Sequence, residues 1–281
     1  MKTEISTSPI GIFDSGVGGL SVWREVRRLL PYENTRYVAD QAHIPYGPRR
    51  IEEVREFAQG ITEFLMSQGC KAIVLACNTA SGAALHALRK QYPDTPFIGM
   101  EPAVKPAAER TKTGAIGVIA TPTTLQGDLF HQLVTRFGSN ITIHTQTCPG
   151  LVEIVESGQS NSRLAEKTVQ RCVEPLMKNS IDQLVLGCTH YPFLTATIKR
   201  IIGPEITLVD PSPAIAKQIE RVLQANEVRN PQLQSGHHVA YTSGSGDTLE
   251  NFIKASISPP HPEIRRVNWQ AGQLAKARGF V

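Results

Sequence analysis

Aromatic residues make up only 6% of this 281-residue chain, and cysteine occurs just five times. The cysteines are Cys70, Cys77, Cys148, Cys172 and Cys188, an odd number with no C-x-x-C pair. That spacing speaks against a disulfide framework and against a structural zinc site. No apolar run approaches the roughly 20 residues needed to span a bilayer, so no membrane role is expected. The opening MKTEISTSPI has no apolar stretch after its lysine, unlike a secretory signal. A cytoplasmic protein with reduced thiols is therefore expected, each thiol either packed in a core or reactive.

Charge is also modest. Charged residues are 19% of the chain and the net charge is +4. Basic and aromatic residues gather near the end, at Arg265, Arg266, Lys276 and Arg278 with Trp269 and Phe280. Without a recognition motif this reads as a solvated helix face, and nucleic acid is not expected as a partner. A hydrophobic content of 41% belongs to an ordinary globular protein, and the length suits two domains of about 100–200 residues.

What the chain does contain is an alternation of short apolar runs with amphipathic segments. Strands are expected at 10–16, 35–40, 71–77, 95–100, 115–121, 141–146, 182–188 and 206–210, and helices at 52–69 and 80–92. Alternating strands and helices imply parallel sheets with right-handed crossovers. The order also repeats. IGIFDSGVGGLSV from Ile10 resembles IGVIATPTTLQGD from Ile116, and HIPYG from His43 takes the place of CPGLV from Cys148. KAIVLACNTA and DQLVLGCTHY put Cys77 and Cys188 at matching points, 111 residues apart. Near-constant offsets argue for two copies of one unit. The expected fold is α/β, with two pseudosymmetric parallel-sheet domains facing each other across a central cleft. Residues 1–100 with 211–281 would form the first domain and 101–210 the second.

Ligands of open α/β sheets bind at the carboxyl ends of strands. Asp14-Ser15, Cys77-Asn78-Thr79, Thr121 and Cys188-Thr189-His190 should therefore surround one cleft. FDSGVGGLSV fails as a dinucleotide fingerprint because position 21 holds Ser21 where the third glycine belongs. Its glycines either cradle an anion on free backbone N–H groups or simply permit a tight turn. Cys70, Cys148 and Cys172 lack a strand-end polar context and read as packing residues. Cys77 and Cys188 each end a strand ahead of amide or hydroxyl side chains, which need partners if buried. His190 stands two residues after Cys188, where it could promote the thiolate. Tyr46-Gly47, after Pro45, reads as a turn.

One Cys with one His suits a cysteine hydrolase but leaves the second thiol idle. A redox pair split between two units is equally awkward. Two thiols on opposite faces of one carbon can instead remove and return an α-proton, inverting the centre. Such a site must also stabilise carbanion charge with preorganised donors. The turn at 15–19, Asn78, Thr79, Thr121, Thr124 and Thr189 are candidates.

With these motifs assembled, the chain resembles the glutamate racemase family of the cofactor-independent Asp/Glu racemase superfamily. The likeness rests on IGIFDSGVGGLSV, IPYG, ACNTAS, GVIATPTT, GCTHYP and VDPS, in order from about residue 10 to 215. It implies interconversion of L- and D-glutamate with no cofactor or metal, a supply of D-glutamate for bacterial peptidoglycan, and a homodimer. By position it implies that Cys77 is the base for one enantiomer and Cys188 for the other, with Asp14 assisting near the first and His190 near the second. The pairs Asp14-Ser15, Tyr46-Gly47, Asn78-Thr79 and Thr189-His190 match substrate contacts. A functional glutamate after the CP turn is also implied, and spacing favours Glu156 over Glu153. A sister enzyme such as aspartate racemase, or a catalytically silent dicarboxylate-binding module, are the alternatives.

Overall fold

The computed structural model describes residues 2–277. Eight strands form in the order expected: β1 (Ile10–Asp14), β2 (Thr35–Ala39), β3 (Ala72–Leu75), β4 (Phe97–Gly99), β5 (Ala115–Ala120), β6 (Thr142–Thr147), β7 (Gln183–Gly187) and β8 (Thr207–Val209). Three more follow: β9 (His238–Thr242), β10 (Glu263–Gln270) and β11 (Gln273–Lys276). They make a seven-stranded sheet, β11-β10-β9-β2-β1-β3-β4, and a four-stranded sheet, β6-β5-β7-β8. All pairings are parallel except β10 with β11.

The repeat is visible in the strand order. β2-β1-β3-β4 and β6-β5-β7-β8 are the same arrangement of first, second, third and fourth strand. β1 and β5 take the same inner position, and Cys77 and Cys188 follow the equivalent strands β3 and β7. β1 and β3 are buried along their whole length. Continuous apolar runs, rather than alternating ones, are what strands covered on both faces require.

The largest core cluster joins Ile10, Ile12 and Trp23 of the first unit to Leu184, Leu186 and Cys188 of the second. Two smaller clusters cover the outer faces of the sheets, one around Phe13, Phe64 and Leu75, the other around Val118, Phe130 and Val185. Each fully buried Leu, Ile or Phe in them contributes about 1.5–3 kcal/mol.

Two expectations change. The basic and aromatic residues near the end do not form a helix face. Arg265, Arg266 and Trp269 lie on β10 and Lys276 on β11, while Arg278 and Phe280 fall outside the described residues. Ala271 (φ 48°) and Gly272 (φ 79°) between these strands both have positive φ, as a two-residue hairpin turn requires. Second, Cys148 and Cys172, though packed in the core, are joined as a disulfide with Cα atoms 5.4 Å apart. The turn before helix Leu151–Glu156 and helix Arg163–Met177 bring them within bonding reach. Cys70, Cys77 and Cys188 remain free thiols.

Candidate active site

Cys77 ends β3 and caps helix Asn78–Gln91, with its Sγ accepting from the Ala80 N–H at 3.5 Å. The helix thus begins two residues before the expected Ala80. A helix N-terminus favours negative charge on such a cap. Burial and the Asp14 carboxylate outweigh it, and push the Cys77 thiol well above its ordinary range. Cys188 ends β7 without a comparable helix. Its Sγ lies 3.8 Å from Nδ1 of His190 instead. One sulfur rests on backbone, the other beside an imidazole.

Behind Cys188 runs a chain of charged groups. His190 Nε2 donates to Glu156 Oε1 at 2.7 Å, which also accepts from the Val17 N–H at 2.7 Å. Gln41 Nε2 donates to Glu156 Oε2 at 3.2 Å. Burial works against charge on both partners. The hydrogen bonds to Cys188 and Glu156 nevertheless hold the His190 imidazole well above its usual value. The bonds from His190, Val17 and Gln41 hold the Glu156 carboxyl below its own. Both shifts favour an imidazolium beside a carboxylate.

Asp14, at the end of β1, is fully buried behind the cavity wall. It accepts from the Gly16 N–H and from the Thr189 hydroxyl, both at 2.9 Å. Burial raises its pKa despite these bonds and the nearby His190. The glycine-rich turn that follows is pressed against the second unit. A Cβ at Gly16 would run into the Glu156 carboxylate and one at Gly18 into the His190 ring. Close approach to Glu156 and His190 requires these glycines, and the Gly16 and Val17 N–H groups of the turn are taken up by the Asp14 and Glu156 carboxylates.

A cavity of about 150 Å³ opens between the units. Of the residues singled out by sequence, Ser15, Tyr46, Gly47, Cys77, Asn78, Thr79, Thr121, Cys188, Thr189 and His190 line it. Asp14, Thr124 and Glu156 stand behind them and touch lining residues. Glu153 is on the wall, but Glu156 is the one bonded to His190. The Thr79, Thr121 and Thr124 hydroxyls bond one another at 2.9–3.4 Å, across the two units. Thr123 donates to the Gly47 carbonyl at 2.6 Å, fixing the turn after Tyr46. Both polar atoms of the Asn78 amide are buried without a protein partner. A buried amide left open toward a cavity is a place for a polar ligand.

Sequence reasoning passed over Ser21. Its hydroxyl bonds the Gly18 carbonyl at 2.9 Å and the Thr189 carbonyl at 3.3 Å, tying the first turn to the second thiol's loop. The same residue that breaks the dinucleotide fingerprint serves as this link. Among the described residues, no three His, Cys, Asp or Glu side chains are grouped so as to hold a metal ion.

Two thiols at matching strand ends of a repeated α/β unit, facing one cavity, define a protein of the racemase class. The family model described as Asp/Glu/Hydantoin racemase matches residues 10–219, and the chain belongs to that family. It is 48% identical over 252 residues to a glutamate racemase of Pseudomonas aeruginosa strain PAO1, covering 89% of this chain and 94% of that one. A glutamate racemase of Roseiflexus is 45% identical, again over 252 residues, covering 89% and 93%. Among solved structures, the glutamate racemase isoform RacE1 of Bacillus anthracis superposes with a TM-score of 0.84 at 34% identity, covering 95% of this chain and 98% of that one. The Francisella tularensis glutamate racemase bound to D-glutamate gives 0.80 at 27% identity, covering 94% and 98%.

Proposed function

We propose that the protein interconverts L- and D-glutamate by two-base proton transfer between Cys77 and Cys188, supplying D-glutamate for peptidoglycan. The observation that carries this reading is the pair of free thiols on equivalent strand ends lining one cavity. One sulfur takes the α-proton while the other returns a proton from the opposite face, so the centre inverts and no group is lost.

The surroundings give each thiol its own support. The His190 imidazolium, held by Glu156, stabilises negative charge that develops on Cys188 Sγ. Among the described residues no such cation acts on Cys77, whose raised pKa suits the protonated partner. Asp14, whose carboxyl burial raises toward neutrality, is near enough to act on the Cys77 thiol electrostatically and is the group to exchange a proton with it. Asn78 and the hydroxyls of Thr79, Thr121 and Thr189 offer the fixed dipoles that a substrate with two carboxylates and an ammonium requires. Sheet membership supports domains of 1–100 with 211–281 and of 101–210. No helix among the described residues is long and apolar enough to cross a membrane. We place the enzyme in the cytoplasm as a homodimer, following the family resemblance.

The test is incubation of L-glutamate with purified protein in deuterium oxide, with no cofactor added. The circular dichroism signal should decay to zero as a 1:1 mixture forms, and the D-glutamate produced should carry solvent deuterium at Cα. An unchanged signal and no deuterium uptake would leave only a silent dicarboxylate-binding module. Faster turnover of L-aspartate would reassign the substrate.

A further inference from the structure

Asp40 ends β2 and is completely buried. Four donors converge on its carboxylate. His43 Nδ1 and the Tyr46 hydroxyl reach Oδ2 at 2.9 and 2.6 Å, while the Ser243 hydroxyl and Trp269 Nε1 reach Oδ1, both at 2.7 Å. One oxygen therefore holds the turn that carries Tyr46 onto the cavity wall. The other is held by residues more than 200 positions later in the chain.

The next residue repeats the pattern. The Thr242 hydroxyl donates to Gln41 Oε1 at 2.7 Å and itself accepts from the Gly244 N–H at 3.0 Å. With its oxygen engaged, the Gln41 amide must turn its Nε2 toward Glu156. Thr242, Ser243 and Trp269 lie beyond residue 219, where the family match ends, and none of them lines the cavity. A hydrogen bond to a buried carboxylate both orients its partner and is expensive to leave unmade.

We propose that Thr242, Ser243 and Trp269 of the C-terminal segment are positioning residues for the reaction. They act through Asp40 on the Tyr46 wall and through Gln41 on the Glu156–His190 pair. The inference rests on the two-thiol reading above. It gives the C-terminal strands a part in catalysis besides completing the sheet, and it divides that part in two. The Asp40 branch governs how substrate is held, and the Gln41 branch governs the charge behind Cys188.

The two branches predict different kinetic signatures. Trp269→Phe keeps an aromatic ring but removes the indole N–H. It should raise KM for glutamate about fivefold, on the scale of one hydrogen bond, and leave kcat within about twofold. Gln41→Leu and Thr242→Val should lower kcat about tenfold with little change in KM. The titratable groups facing Glu156 are His190, Asp14 and Tyr37. All three stay in place in Gln41→Leu, while a bond that stabilises the ionised carboxylate is lost. The acid limb of its kcat profile should therefore move to higher pH. Thr242→Ser, which keeps the hydroxyl, should restore wild-type values.

Folded variants with wild-type KM, kcat and pH profile would overturn the inference, because a merely structural role alters the melting temperature alone. Cys188→Ser serves as the control for the underlying reading. If it stays active, the two-thiol mechanism falls. The Asp40 branch is then judged by calorimetry, where a wild-type dissociation constant for D-glutamate in Trp269→Phe would overturn it and a weakened one would sustain it.

Discussion

His190 stands between a sulfur and a carboxylate: its Nε2 lies 2.7 Å from Glu156 Oε1 and its Nδ1 3.8 Å from Cys188 Sγ. The carboxylate holds the ring and favours its charged form, as a histidine's second hydrogen-bond partner does. Glu156→Gln keeps the shape and removes the charge. The imidazole then loses its reason to stay protonated beside the thiol. We expect kcat/KM to fall about 10²-fold, the lower end of what general acid–base groups supply. A coupled assay on both enantiomers measures it, with far-UV circular dichroism to show that the fold is intact.

Gly16 tests the same pair from the opposite side. Its missing Cβ leaves room for Glu156 Oε1, and a methyl there would also meet Ile44 Cδ1 at 2.5 Å. Gly16→Ala should push the carboxylate away from His190 without touching either thiol. Displacements of about 1 Å in such a site cost on the order of 10²-fold in rate. The expected result is a folded protein with kcat depressed by about that factor, measured by steady-state kinetics.

The Thr79–Thr121–Thr124 cluster joins the two units through hydroxyls alone. Thr121 Oγ1 also caps helix Pro122–Gln126, accepting from the Thr124 N–H at 3.3 Å. Thr121→Val preserves volume but removes the cap and leaves two buried hydroxyls short of a partner. The expected loss is about 1–2 kcal/mol, read from urea unfolding, together with a raised KM. Thr121→Ser should recover most of both.

His238 supplies a pH test remote from the cavity. Burial, with Arg27, His237 and Arg36 nearby, lowers its pKa to about 4 from an ordinary 6.5. Its folded value lies below its unfolded one, so between these values the unfolded chain binds more protons. Stability should therefore rise with pH across about 4 to 6.5. Urea midpoints measured through this window should climb, and His238→Gln should flatten part of the slope.

Much of the site could be read from the sequence because the fold is repeated. Corresponding strand ends carry Cys77 and Cys188, and an apolar run that stops at a polar cluster marks the carboxyl edge of a sheet. A glutamate after the CP turn was implied by the family resemblance, with spacing favouring Glu156 over Glu153; its 2.7 Å bond to His190 is seen only in the structure. What could not be read depends on partners far apart in the chain. Ser21 bonds Thr189, and Trp269 bonds Asp40, yet nothing local in either segment reports such a partner. Cys148 and Cys172 are 24 residues apart, with no spacing signature to pair them. The β10–β11 hairpin was missed because Arg265, Arg266 and Lys276 masked a strand with only Val267 buried along β10. Solvated strands at the rim of a sheet, here β11 on the edge and β10 beside it, carry few of the apolar residues that periodicity detects.

The two thiols can be told apart by isotope. A racemisation has an equilibrium constant of one, so kcat/KM for L- and D-glutamate must fall together in every variant. Loss of activity alone thus cannot say which sulfur faces which hydrogen. Replacing one sulfur slows transfer on its own face more than on the other. Cys77→Ser and Cys188→Ser should each reduce kcat/KM by at least about 10²-fold. The residual activity should show a raised Cα-deuterium isotope effect for one enantiomer in Cys77→Ser and for the other in Cys188→Ser. The same enantiomer responding in both variants would argue against one base on each face. Substantial activity retained by both would remove the thiols from the chemistry altogether.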